Sequence, residues 1–120
     1  MAILALEHAQ LAMPPGQEAR ARVFYVGVLG LTEIPKPAEL AGRGGCWFEA
    51  GLVKLHLGVE ADFHPAKKAH VALVVDDLDA LLERARAAGI EVVDTAPFQG
   101  FSQVYVHDPF GNRLELLQRS

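Results

Sequence analysis

A chain of 120 residues with 51% hydrophobic and 22% charged residues is long enough for one domain with a real core, and nothing in it is biased enough to suggest disorder. Its net charge of −4 comes from 15 acidic and 11 basic residues, and the basic ones are scattered, which argues against a nucleic-acid surface. Cys46 is the one cysteine, which excludes an internal disulfide and suggests a reducing, cytoplasmic setting. Glu7 and His8 end the apolar opening too early for a signal peptide, and no run approaches the ~20 apolar residues of a membrane helix.

In chain order, Ile3 to Leu11 reads as a strand with Leu4, Leu6, His8 and Gln10 on one face, broken by Pro14-Pro15-Gly16. From Gln17 the apolar spacing becomes helical through Ala21, Phe24, Tyr25 and Val28, and Gly30 stands at the C-cap position. Pro35 and Pro37 open a loop that runs through Gly45. Cys46 to Ala50 and Leu52 to Leu57 are then two short strands joined at Gly51, and the stretch 59–67 lacks periodicity and reads as a linker. His64 and the Lys67-Lys68 pair at its end read as solvated.

The pattern then restarts. His70 to Val75 is a strand, Asp76-Asp77 offers an N-cap, and Leu78, Leu81, Leu82 and Ala85 form a helical stripe that ends at Gly89. Ile90 to Val93, Ser102 to Val106 and Arg113 to Leu117 supply three more strands. The last two are joined by Asp108-Pro109-Phe110-Gly111, where proline fixes φ early and glycine is free to take a positive φ late. The order strand, helix, strands therefore occurs twice, in module 1 (about 1–58) and module 2 (about 68–120) of a single α+β domain.

Glu115 is the anomaly of the last strand. Flanked by Leu114, Leu116 and Leu117, it must face water or find a strong partner, because an unpaired buried charge costs several kcal/mol. His8 and His70 stand on the opening strand of each half, His56 and Glu115 on the closing strand, at nearly equal separations. If the halves curl their sheets and pair face to face, the four converge. Imidazole nitrogens with one carboxylate suit a divalent Zn, Ni, Co, Mn or Fe(II) ion. The competing reading is a set of ordinary hydrogen-bonded strand residues.

The segments Phe24-Tyr25-x3-Leu29-Gly30-Leu31, His70-x2-Leu73-x2-Asp76-Asp77 and Asp108-Pro-Phe-Gly-Asn-Arg-Leu-Glu-Leu116 resemble the vicinal oxygen chelate superfamily, which includes glyoxalase I, bleomycin-binding proteins, fosfomycin-resistance transferases and extradiol dioxygenases. The resemblance implies paired βαβββ modules forming a curled mixed sheet with a cleft, often in a homodimer, and a metal held by His8, His56, His70 and Glu115. It departs at His56, where glyoxalase I-like members carry Glu. His56 is thus a fourth ligand, an acid/base with Glu115, or a pocket residue.

The functional expectation is a divalent-metal enzyme acting on a small oxygen-bearing metabolite, most like a glyoxalase I-type isomerase/lyase or an epimerase. The rivals are a metal-free small-molecule binding protein and an extradiol dioxygenase. Trp47, Phe98 and Phe101 are candidates to wall the cleft, with core packing favoured for Trp47. Gln10 and Gln103 could orient a substrate, although solvent exposure competes. Cys46 reads as a small apolar core residue, His107 as structural, and Arg113 as a possible ion-pair partner of Glu115.

Overall fold

The computed structural model describes residues 1–97 and 99–120. In the first half, β1 (Ala9–Met13) runs parallel to β4 (Val53–Val59), which pairs antiparallel with β3 (Cys46–Ala50), itself antiparallel to β2 (Thr32–Ile34). The second half repeats this order with β5 (His70–Val74), β8 (Arg113–Arg119), β7 (Phe101–His107) and β6 (Val92–Asp94). The repetition extends to register. Gln10 lies opposite His56 and Ala72 opposite Glu115, and in each half a histidine stands two residues earlier on the opening side.

Period-two alternation sends one face of each sheet to the core and leaves the other open. Met13, Cys46, Phe48, Leu55 and Leu57 are buried in the first half, and Val104, Val106, Leu114 and Leu116 in the second. Against those faces lie α1 (Glu18–Arg22), continued by a π-helical turn over Val23–Val28, and α2 (Leu78–Ala87). The apolar stripes read from the sequence are the buried ones: Ala21, Phe24, Tyr25 and Val28, then Leu78, Leu81, Leu82 and Ala85. Each large member contributes about 1.5–3 kcal/mol of burial. Asp77 caps α2, its carboxylate accepting from the Ala80 amide at 3.0 Å.

The two halves share one core and are tied across it at the β7–β8 turn. The Asp108 carboxylate accepts from the Phe110 and Asn112 amides, from the Asn112 side chain at 2.9 Å, and from the Tyr25 hydroxyl at 2.7 Å. Asn112 in turn donates to the Ala12 carbonyl at 2.7 Å. Phe24-Tyr25 and Asp108–Asn112, far apart in sequence, are therefore one hydrogen-bonded unit. Gly111 takes φ +93 to close the turn, a conformation that side chains resist.

The opening strand differs from its expectation. It covers Ala9–Met13 rather than Ile3–Leu11, because the pairing Ala9–Leu55 leaves only two residues of β4 ahead of it, Val53 and Lys54. The preceding arm stays outside the sheet, with Ile3, Leu4 and Leu6 all more than four-fifths exposed. A 3₁₀ turn over Ala38–Arg43 falls within the expected loop and β2 just ahead of it, each too brief to show periodicity.

Candidate metal centre and ligand cleft

The open face of the first sheet carries a stack of three rings. The pairing of Trp47 with His56 brings their rings to 4.0 Å with planes 5° apart, and His8 covers the other side of His56 at 4.3 Å. Sandwiched in this way, His56 is 5% exposed. Burial, and then the charge of His8, hold its imidazole below the ordinary histidine pKa, so it is neutral with a free lone pair at pH 7. A cavity of about 400 Å³ opens over the stack, lined also by Gln10, Glu49 and Lys54. Lys54 is paired with Glu7 at 3.0 Å.

Trp47 is thus half-buried on the open face rather than packed in the core. Its neighbours Cys46 and Phe48 point the other way and are the core residues.

The open face of the second sheet carries His70 and Glu115. His70 Nδ1 lies 2.8 Å from the Lys68 carbonyl, which can only accept, so Nδ1 carries a hydrogen. In the neutral ring Nε2 is then a lone pair, and it faces Glu115 Oε1 at 2.9 Å. Two lone pairs at that distance repel unless a proton or a metal ion lies between them. The His70 and Glu115 side chains are 29% and 11% exposed, so the pair is accessible. Tyr105, opposite Glu115 in the hairpin, packs its ring edge-on to His70 at 5.4 Å.

The four expected ligands therefore stand as two pairs, His8 with His56 and His70 with Glu115. Among the described residues of one chain, no three metal-binding side chains form a single group. Glu115 is buried at 8% and partnered by His70, which resolves the anomaly of its strand.

Arg113 does not pair with Glu115. Its guanidinium lies over the Tyr105 ring, 3.7 Å from the centroid. Phe101 is half-buried on the same face beneath Arg119, and Gln103 donates to the Ala96 carbonyl at 2.9 Å, which ties it to the loop before β7. Gln10 shares the cavity of the ring stack. Phe98 lies outside the described residues. His107 sits one pairing step from Tyr105 and Glu115, with Nδ1 3.8 Å from Glu91 Oε1.

Tyr105 was not among the residues singled out from the sequence. The signal was present, since counting back through the Asp108–Gly111 turn sets Tyr105 opposite Glu115.

The sequence profile of the Glyoxalase/Bleomycin resistance protein/Dioxygenase superfamily matches residues 6–116. A search among curated proteins finds no match. Among solved structures, a glyoxalase family protein from Bacillus anthracis is 44% identical with a TM-score of 0.93, covering 100% of this chain and 98% of that one. The fosfomycin resistance protein FosX from Listeria monocytogenes shares the fold at 19% identity and a TM-score of 0.79, with 99% and 96% covered. TnmS3, an antibiotic binding protein from Streptomyces sp. CB03234, does so at 24% and 0.73, with 100% and 99% covered. With its duplicated strand order and matching register, the chain belongs to the glyoxalase/bleomycin resistance protein/dioxygenase superfamily.

Proposed function

We propose that this chain is a divalent-metal-dependent enzyme acting on a small oxygen-bearing metabolite, most like a glyoxalase I-type isomerase or lyase, or an epimerase. The observation that carries the reading is the His70–Glu115 pair. Its donors are an imidazole nitrogen and a carboxylate oxygen 2.9 Å apart, the spacing of two adjacent ligands each about 2.1 Å from one ion at an angle near ~90°. The Lys68 carbonyl orients the ring as an outer partner of a ligating histidine does. His8 and His56 are the further ligands of the reading.

We assign the completed site to a homodimer, in which His8 and His56 of one copy meet His70 and Glu115 of another. Two features support this: neither pair alone makes a full ligand set, and the apolar arm ahead of β1 has no cover among the described residues. Among the described residues no helix is long and apolar enough to cross a membrane, and the cytoplasmic setting rests on the lone Cys46.

A divalent ion held by these residues supplies Lewis-acid polarisation of a substrate carbonyl, worth several kcal/mol as negative charge develops on oxygen. The chain supplies the rest. His56, held below its ordinary pKa, can accept a proton when it is released from the ion. Glu115, when free of both His70 and the ion, can carry one between substrate carbons. The Trp47–His56–His8 stack gives a flat wall that orients a planar group and keeps water from one side.

That same stack favours a second reading, a metal-free binding module for an aromatic compound. TnmS3 is described as an antibiotic binding protein. Thermal melts of the metal-stripped protein with Zn, Ni, Co, Mn or Fe(II) separate the two. A rise in Tm with one of them supports the enzyme, and no rise with any leaves the binding module.

A further inference from the structure

We propose that Arg113 is the anion-recognition group of this site. Its substrate then carries a carboxylate or phosphate a few ångströms from a pair of adjacent oxygens. The inference rests on the reading of His70 and Glu115 as the ion-holding pair.

Placement comes first. The β7–β8 register sets His107 opposite Arg113, Tyr105 opposite Glu115, Gln103 opposite Leu117 and Phe101 opposite Arg119, so one sheet face carries Arg113 and Glu115 side by side, with Leu117 between Glu115 and Arg119. Arg113 and Glu115 alternate on one strand, which spaces their Cα atoms by about 6.5–7 Å. Tyr105 bridges them to His70, lying under the guanidinium at 3.7 Å and edge-on to the imidazole at 5.4 Å.

The unused hydrogen-bonding capacity of Arg113 comes second. Among the described residues it makes no ion pair, and its one polar contact is from Nη1 to the Lys67 carbonyl at 3.5 Å. Glu115, the nearest acid on the same strand face, is engaged by His70 at 2.9 Å. Stacking occupies only the flat face of the guanidinium. Its N–H groups lie in the plane of the fork, which suits carboxylate or phosphate oxygens.

Charge comes third. A fixed cation beside a metal pair opposes the incoming ion, and a substrate that brings its own negative charge removes that opposition. A merely structural Arg113, holding Tyr105 in place, would be replaceable by another long stem without change in ligand preference.

Calorimetric titration of the full-length protein, zinc-loaded and metal-free, tests this. Dihydroxyacetone phosphate and malate supply a phosphate and a carboxylate arm; dihydroxyacetone is the neutral probe. The zinc-loaded protein is expected to bind at least one charged probe about tenfold or more tighter than the neutral one, and the better arm names the anion. Arg113→Met should abolish the preference while keeping the zinc-induced rise in Tm, Arg113→Lys should retain part of it, and Arg86→Met, on the outer face of α2, should leave it whole. Equal binding of charged and neutral probes, or a preference that survives Arg113→Met, overturns the inference while the metal reading stands. If none of Zn, Ni, Co, Mn or Fe(II) raises the Tm of the wild type, the metal reading falls separately. The Arg113 assignment is then decided by inorganic phosphate in the metal-free protein: a shift of the Arg113 Nε–Hε resonance upholds it, and an unmoved resonance overturns it.

Discussion

His70 Nε2 stands 2.9 Å from Glu115 Oε1 while the opposite ring nitrogen is fixed to the Lys68 carbonyl, so two residues on the neighbouring strands β5 and β8 present one oriented donor pair. If a metal occupies this pair at about 100 times its dissociation constant, mass action adds about 2.7 kcal/mol of stability. For a domain of this size that corresponds to a Tm rise on the order of 10 °C. His70→Ala and Glu115→Gln should each remove most of that rise when melts are compared with and without metal. A full rise in both variants would take the metal away from this pair.

His56 gives a pH prediction whose sign follows from its burial. Its folded pKa lies below the unfolded value of about 6.5, so between the two values the unfolded chain binds more protons. The stability it contributes is whole above the unfolded value and is lost as pH falls from there through the folded value. Urea midpoints measured from pH 8 down to pH 5 should therefore fall, and His56→Gln should flatten the part of that slope below about pH 6.5. A slope unchanged by the substitution would mean that another group carries it.

The Asp108 turn is the joint between the two halves. Asp108→Ala strands the Tyr25 hydroxyl, two amides and the Asn112 side chain, each buried, and should cost about 3–5 kcal/mol. Tyr25→Phe removes one donor of four and should cost about 2 kcal/mol. Burial, and then the Asp108 charge, hold the Tyr25 phenol well above its ordinary pKa, so the hydroxyl remains a donor throughout the useful pH range. Equilibrium unfolding in urea measures both, and equal costs for the two variants would mean that the carboxylate is not the hub.

Much of this architecture was legible in the residues. The stripes Phe24, Tyr25, Val28 and Leu78, Leu81, Leu82 announce helices because each covers a sheet face. Pro109 and Gly111 announce the last hairpin because only certain backbones close it. Glu115 was conspicuous because its neighbours are all leucine. The ring stack over His56 was not legible, since it depends on Trp47 and His56 being paired across β3 and β4. The course of the first eight residues was hidden as well: Leu4 and Leu6 alternate as a strand would, but β4 gives them no partner.

Cys46 is expected to be inert in the folded protein. It is 1% exposed, and burial, with the Glu33 charge second, pushes its thiol up to about 11. At pH 8 almost none of it is thiolate. Native protein should leave a disulfide reagent such as DTNB unreacted over a time in which denatured protein reacts with one equivalent. Rapid native labelling would show that the sheet opens around β3 and that the thiol is available for chemistry.

Whether one cleft draws on two chains can be decided by mixing two defective proteins. His8→Ala and His70→Ala each remove one of the proposed ligands, and each alone should lack tight metal binding. If both ligands of a site come from the same chain, every chain in the mixture still carries one defect, and unfolding and refolding the two together restores nothing. If His8 of one copy serves the His70–Glu115 pair of another, a heterodimer has one doubly damaged site and one intact site. Random assortment of equal amounts makes half of all dimers heterodimers, so about one site in four should bind metal with wild-type affinity. Zinc titration of the co-refolded mixture, with sedimentation to establish the dimer, reads this directly. Recovery near that fraction establishes the shared cleft, whereas none in a mixture shown to contain heterodimers assigns each site to a single chain.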